Sequence, residues 1–145
     1  MAETLGMLCD KLTIVKLKQY HTDETGKLNS LNQQALQLQG EIDNFIADTL
    51  KGNIGIDKLT FASNKVYKKE GNETKEIIGN IGEVFSQLAD VNCRLWHEVE
   101  KGYNISAIPP EEKDKLINNL AVLNLERNNC IDAIDLKFQQ LIKIK

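Results

Sequence analysis

The stretch IIGNIGEVFSQLADVNCRLWHEVEK, Ile77–Lys101, decides the fold because its apolar residues recur at helical spacing. Residues taken alternately three and four positions apart form one stripe: Ile78, Ile81, Phe85, Leu88, Asn92, Leu95 and Val99. Such a stripe is typical of the packed face of an α-helix in a bundle. Asn92 is its polar member, and a buried amide lowers stability unless it finds hydrogen-bond partners. The stretch therefore predicts a broadly buried helix with one polar position in its core face.

The same alternation continues outward in three other segments, at about Glu3–Tyr20, Lys27–Lys51 and Pro110–Lys143. The first of these segments carries two apolar stripes, so we expect neighbours on two of its sides. A weaker apolar segment, Ile56–Tyr67, predicts a short extra helix between the second and third long helices. The pattern favours an all-α fold, an up-down-up-down antiparallel four-helix bundle, as a single domain over residues 1–145.

Capping residues mark the expected helix ends. Gly52 is placed to end the second helix in a left-handed conformation, and Gly102 to close the third. Asn72 is predicted to cap the start of the third helix, with acidic residues following it in the first turn. Pro109 and Pro110 precede two glutamates, which is typical of a helix start and marks the beginning of the fourth helix.

Composition argues against several classes of function. The chain has 145 residues and a net charge of -3, and no apolar run approaches the length of a bilayer span. We therefore expect no nucleic-acid surface and no membrane insertion. The three cysteines, Cys9, Cys93 and Cys130, are widely spaced, which predicts buried reduced thiols in a cytoplasmic protein without disulfides. No catalytic signature or glycine-rich phosphate loop occurs, and no cofactor is expected.

Polar residues interrupt the apolar stripes at comparable heights in the predicted bundle. Asp10, Asn92, Asn124 and Arg127 lie at depths that differ by at most about 12 Å, at ~1.5 Å rise per residue. The pattern predicts a buried Arg127 paired with Asp10, with the two amides completing the hydrogen bonds. One interpretation is a structural layer that fixes helix register. The other is a pocket in the bundle core for a small polar ligand.

A weaker group of candidates lies outside that layer: His21, Trp96, His97, Glu100, Asn128 and Asp135. The two histidines share no face with carboxylates at metal-ligand spacing, so no metal site is predicted. His97 faces away from the apolar stripe at Val99 and is predicted to lie on the surface.

Several short motifs resemble a family of short bacterial proteins known only as a domain of unknown function. They are Tyr20-His21, Leu95-Trp96-His97 with Glu100, and NLERNNCIDAID at Asn124–Asp135. A second uncharacterised family is similar at DKLTI, Asp10–Ile14, and at VNCRLW, Val91–Trp96. The first family tends to carry an adjacent acidic pair after LWH, where this chain has Glu98-Val99-Glu100. The resemblance implies a bacterial cytoplasmic helical protein, often encoded near genes for surface-polysaccharide assembly, and it supplies no activity.

Three classes of function stay open at this level. The favoured one is a non-catalytic helical protein that binds another protein or a second copy of itself. The second is a binder of a small polar or anionic ligand, such as a sugar phosphate or nucleotide, through the Asp10–Arg127 layer. The third is a hydrolase that uses His21, His97 and acidic residues of the third and fourth helices.

Overall fold

The computed structural model describes residues 3–61 and 77–144, and four long helices account for most of them. These are α1 (Leu5–His21), α2 (Thr25–Leu50), α3 (Ile81–Gly102) and α4 (Pro110–Ile144). Within these two ranges no residue forms a β-strand. The predicted all-α four-helix bundle is confirmed.

The first two helices have well-defined ends. α1 begins after Thr4, whose hydroxyl accepts a hydrogen bond from the backbone N–H of Met7. α2 ends at a left-handed Gly52 with φ of 80°, as the sequence predicted. The Gly52 N–H donates to the Thr49 carbonyl at 3.1 Å, and the Asn53 N–H to that of Asp48 at 2.9 Å. This pair of bonds is a Schellman motif, which satisfies the last carbonyls of the helix.

α3 starts later than the sequence predicted. The stretch from Ile77 to Asn80 is not helical, and Asn72, the predicted cap, lies outside the described residues. Gly79 has a φ of 111°, a left-handed conformation that ends any helical run from the N-terminal side. Asn80 then takes the cap position, and Glu83 accepts its backbone N–H at 3.4 Å in a capping box. The prediction that residues 77–80 are helical was therefore wrong, and α3 begins at Ile81.

In the described part of the predicted extra helix, residues 56–61, the helical residues are a 3-10 turn at Ile56–Lys58. Residues 59–61 are not helical, and the rest of the predicted segment lies outside the described residues. Leu59 follows the turn and is almost fully buried in the main core. Gln139 of α4 donates a hydrogen bond to the Ile56 carbonyl at 3.0 Å, so the turn is fastened to the bundle. A second 3-10 turn, Ile105–Ala107, connects α3 to α4.

α1 packs against all three other helices, which accounts for its two apolar stripes. Leu8 and Val15 face α2 and form a small core with Ala35 and Leu38. Cys9, which follows Leu8 and lies about 100° around α1 from it, belongs to the larger core. That core consists of the following buried residues: Leu5, Cys9, Leu59, Val84, Leu88, Val91, Leu95, Leu123, Cys130, Ile131, Ile134 and Phe138. No helix within the described residues is both long and apolar enough to cross a lipid bilayer.

Candidate functional site

Asp10 and Arg127 meet at the interface of α1 and α4. The Arg127 guanidinium donates two hydrogen bonds to the carboxylate, from Nε to Oδ1 at 2.9 Å and from Nη2 to Oδ2 at 2.5 Å. Asp10 is buried, whereas the Arg127 side chain keeps 32% of its surface exposed. The hydrogen bonds with Asp10 raise the pKa of Arg127, and burial opposes that rise. The pair is a bidentate ion pair with its anion inside the bundle and its cation at the edge.

Asn92 of α3 also contacts this ion pair. Its Nδ2 donates to Asp10 Oδ1 at 3.0 Å and to Thr13 Oγ1 at 2.7 Å. The Thr13 hydroxyl donates in turn to the Asp10 carbonyl at 2.7 Å. Asn92 Oδ1 is buried and has no hydrogen-bond partner among the described residues. Sequence reasoning missed Thr13, although its place three residues after Asp10, on the same helical face, could have indicated it.

Asn124 does not belong to this layer, contrary to the prediction. It is exposed, and the buried positions in this half of α4 are Leu116, Leu123 and Glu126. A strict 3–4 alternation drifts about 20° per seven residues relative to a straight α-helix. That drift is only about 20° between Asn124 and Ile131, so it does not by itself expose Asn124. In this half of α4 the buried face is at Leu123 and Glu126, and Asn124 lies about 100° around the helix from Leu123. The structure brings together Asp10, Asn92 and Arg127 and leaves Asn124 in solvent.

The side-chain contacts of the layer converge on the Asp10 carboxylate. Asp10 receives three side-chain hydrogen bonds, and these tie α1 to both α3 and α4. The carboxylate is consequently well satisfied, which favours the structural interpretation over a ligand site in the core.

A second buried carboxylate, Asp135 of α4, lies against the start of α1. Asp135 Oδ1 accepts the Gly6 N–H at 2.7 Å, and the Thr4 hydroxyl also donates to this carboxylate. Burial raises the pKa of Asp135 to about 6, although these two hydrogen bonds act in the opposite direction. A Cβ at Gly6 would overlap the carbonyl oxygen of Ile131, so only glycine allows the two helices to approach this closely. Asp135 thus caps a helix that is distant in sequence.

The buried thiols are poor nucleophiles. Burial, with the nearby charges of Asp135 and Asp10, raises the pKa of Cys9 to about 12. Burial, with the charge of Glu126, raises that of Cys130 to about 11. The raised pKa values keep both thiols protonated near neutral pH, and a buried, protonated thiol is a weak nucleophile. Cys93 is exposed, so the prediction that it is a buried filler was wrong, and all three cysteines are free.

The weaker candidates His21 and Trp96 come together at one end of the bundle. Their rings stack with centroids 4.7 Å apart and planes inclined by 23°. Tyr20 meets His21 edge-on at 5.2 Å. The Trp96 Nε1–H donates to Glu100 Oε1 at 2.7 Å. His21 Nδ1 lies 2.8 Å from the Leu17 carbonyl oxygen, which can only accept, so Nδ1 carries the proton and Nε2 is left for another partner.

A pocket of about 320 Å³ opens beside this stack, between the C-terminal turn of α1, the N-terminal turns of α2, and Trp96 of α3. We call it the end pocket. Its lining residues are Lys18, His21, Thr22, Lys27, Ser30, Leu31 and Trp96. Two ammonium groups, one imidazole and two hydroxyls thus line the pocket together with a leucine side chain and an indole. Such a combination of a few polar groups on an apolar surface is typical of small-molecule sites.

The remaining candidates lie elsewhere. His97 is exposed as predicted, with Nδ1 3.9 Å from Glu100 Oε2. It lines a separate groove of about 510 Å³ between α3 and α4, together with Arg94 and the buried Glu126. Sequence reasoning missed the burial of Glu126, which lies one position outside the predicted stripe that contains Arg127. Asn128 is half-buried and lines neither this groove nor the end pocket.

In residues 3–61 and 77–144, no three His, Cys, Asp or Glu side chains are grouped as metal ligands would be. Comparisons with protein-family models, curated proteins and solved structures found no match. The resemblance to an uncharacterised bacterial family therefore stays a prediction.

Proposed function

We propose that the protein is a non-catalytic binding module that holds a small organic anion in the end pocket. The observation that carries this proposal is the placement of Lys18 and Lys27 around an apolar pocket whose wall is formed by the stacked rings of His21 and Trp96. Ammonium groups next to a low-dielectric surface attract anions more strongly than fully solvated ones do.

The position of α2 adds to this attraction. Lys27 lies in the first turn of α2 and lines the pocket. The cap residue Glu24 makes no side-chain hydrogen bond to that turn. The positive end of the α2 dipole favours an anion at this turn, and the Glu24 carboxylate, paired with Lys27 at 3.2 Å, is the anion that a ligand would replace there.

The pocket chemistry supports binding rather than catalysis. Within the described part of the chain, the side chains that line the end pocket include no carboxylate. His21 is oriented by a backbone carbonyl, without the acidic partner that a general base usually has. The free cysteines and the family resemblance support a bacterial cytoplasmic location as part of the same proposal.

The experiment uses the single tryptophan of the chain, Trp96, as the reporter. Inorganic phosphate, glucose 1-phosphate, adenosine 5′-monophosphate and benzoate are titrated into the protein while indole fluorescence and heat of binding are recorded. We expect at least one organic anion to bind. Lys18→Gln or Lys27→Gln should weaken its affinity about tenfold, because each substitution removes one charge-assisted hydrogen bond.

Two matched variants control for the change in net charge. Lys16→Gln removes an exposed lysine two positions from Lys18, and Lys51→Gln removes one at the far end of α2. Both should bind as the unaltered protein does. Equal weakening by all four substitutions would show a general charge effect, and the proposed site would then be wrong.

A second candidate function is binding to another protein at the same end of the bundle. Tyr20 in the last turn of α1 and Tyr103 just after α3 are each 86% exposed. Tyrosine is enriched at protein interfaces, where its ring is buried on binding. Light scattering of the purified chain tests the simplest case, a second copy, and a concentration-independent monomer mass would exclude it.

A further inference from the structure

We infer that the ligand is an anion carried on a flat ring, with the ring against Trp96 and the anionic group between Lys18 and Lys27. This inference rests on the proposed function and names the chemical class that the same pocket accepts.

The indole of Trp96 is fixed before any ligand arrives. The imidazole of His21 stacks on it at 4.7 Å, and Glu100 accepts its N–H at 2.7 Å. A side chain that is already ordered loses little conformational entropy when a ligand packs against it. Trp96 thus lines the end pocket with an ordered apolar ring, one face of which is covered by His21.

The rest of the lining matches a flat apolar body. Leu31 contributes a branched alkyl group, and the methylene stems of Lys18 and Lys27 add further apolar surface below their charged ends. A sugar ring can place only the C–H groups of one face against these carbons, because its hydroxyl groups need water or polar partners. An aromatic ring buries its whole face, and stacking on indole adds to its affinity.

The two lysines of the end pocket indicate that the ligand carries one anionic group. Lys18 and Lys27 stand on either side of the turn between α1 and α2, and both line the pocket. Lys27 forms an ion pair with Glu24 at 3.2 Å, with both side chains largely exposed, so the pair is weak and a ligand anion can replace Glu24. A pocket of about 320 Å³ lies at the lower end of the usual range for small ligands, which suits one ring system and one anion rather than a polymer.

The test compares ligands that carry the same anionic group with and without an aromatic ring. Calorimetry measures adenosine 5′-monophosphate against ribose 5-phosphate, and benzoate against acetate. In at least one pair we expect the ring-bearing member to bind about fivefold or more tightly, as for stacking of one base on an aromatic side chain. The pair that shows the preference distinguishes a nucleotide from an aromatic acid as the natural source of the ring.

Variants at Trp96 show where the ring binds. Trp96→Leu should abolish the preference for the ring-bearing ligand, and Trp96→Phe should retain most of it. Tyr103→Leu removes an exposed aromatic residue outside the pocket and should change nothing. Quenching of Trp96 fluorescence by the ring-bearing ligand alone gives a second measurement on the unaltered protein, which does not depend on the folding of any variant.

The binding measurements test the ring preference and the anion site separately. Equal binding within both pairs would overturn the ring inference and leave the proposed anion site intact. Failure of all four ligands to bind would overturn the proposed function and the ring inference together. A ring preference that survives Trp96→Leu would place the ring elsewhere and also contradict the inference.

Discussion

Arg127 and Asp10 form an ion pair whose two members differ sharply in exposure. The carboxylate side chain of Asp10 is 5% exposed, and the side chain of Arg127 is 32% exposed. Water can reach the cation if its partner is removed, but it cannot readily reach the anion. The two residues should therefore contribute unequally to stability, although each contacts the other.

The first prediction follows from that inequality. Arg127→Met leaves a buried carboxylate without its cation, so the free energy of unfolding should fall by about 3–5 kcal/mol. Asp10→Leu should cost less, since the guanidinium can turn to solvent. The double variant should be more stable than the sum of the two losses predicts, because neither charge is then left alone. Urea unfolding measures all three, and additive losses would contradict the pairing.

The second prediction concerns two glycines with opposite surroundings. Gly6→Ala places a Cβ against the Ile131 carbonyl and 3.0 Å from Asp135 Oδ1, so α1 must move away from α4. We expect a loss of about 1–3 kcal/mol, as for other overpacked sites. Gly40→Ala, in the interior of α2 with nothing near its Cβ, should raise stability by up to about 1 kcal/mol. The midpoint temperature of thermal unfolding should fall for Gly6→Ala and rise for Gly40→Ala. A change in the same direction for both variants would contradict the close approach at Gly6.

The third prediction is a pH dependence that comes from Asp135. Its pKa is raised from 3.8 to about 6 in the folded chain. Between those pH values the folded state binds more protons at this group than the unfolded state does. Its contribution to stability therefore falls as the pH rises from about 4 to 6, by roughly 3 kcal/mol at about 1.4 kcal/mol per pKa unit.

The variant Asp135→Asn tests this sign. It removes the titration and keeps the size and an acceptor for the Gly6 N–H. The difference in unfolding free energy between the variant and the unaltered chain should shift in favour of the variant from pH 4 to pH 7. Asp114→Asn, at an exposed position of the same helix, serves as the control and should show no comparable trend. A difference that is constant with pH would contradict the raised pKa.

The fourth prediction concerns thiol reactivity. Cys93 is exposed, whereas Cys9 and Cys130 are buried and have pKa values raised to about 12 and about 11. A thiol reagent such as 5,5′-dithiobis(2-nitrobenzoate) should therefore modify one cysteine quickly in the native protein and three in denaturant. Cys93→Ser should remove the fast reaction. Rapid reaction of two or more thiols in the native protein would contradict the assigned burial.

Periodicity in the sequence was sufficient to predict the helices and most of the polar layer. The unbroken 3–4 alternation located four helices, and polar residues within apolar stripes pointed to Asp10, Asn92 and Arg127. The start of α3 was predicted wrongly because two asparagines, Asn72 and Asn80, can each cap a helix. The positive φ of Gly79, which selects Asn80, is a backbone property that residue spacing does not reveal.

The errors at Asn124 and at the end pocket have a different origin. Which of two adjacent residues in α4 is buried depends on how α4 is rotated against α3, and a repeat of 3.5 residues leaves that rotation undetermined over a long helix. The end pocket joins residues from three helices, and its apolar wall depends on the stacking of His21 on Trp96. His21 and Trp96 both occur in the sequence motifs, but only the packing of the helices shows that they form one site.

The Asp10–Arg127 pair has a consequence for synthesis on the ribosome, because 117 residues separate its members. The Gly6–Asp135 hydrogen bond spans 129 residues. Domains form as the chain emerges, N-terminal parts first, at about 5–20 residues per second. During that interval α1 can pack on α2, but Asp10 has no cation until α4 appears. The main core of the nascent chain therefore cannot be complete until α4 has emerged, many seconds after α1 was made.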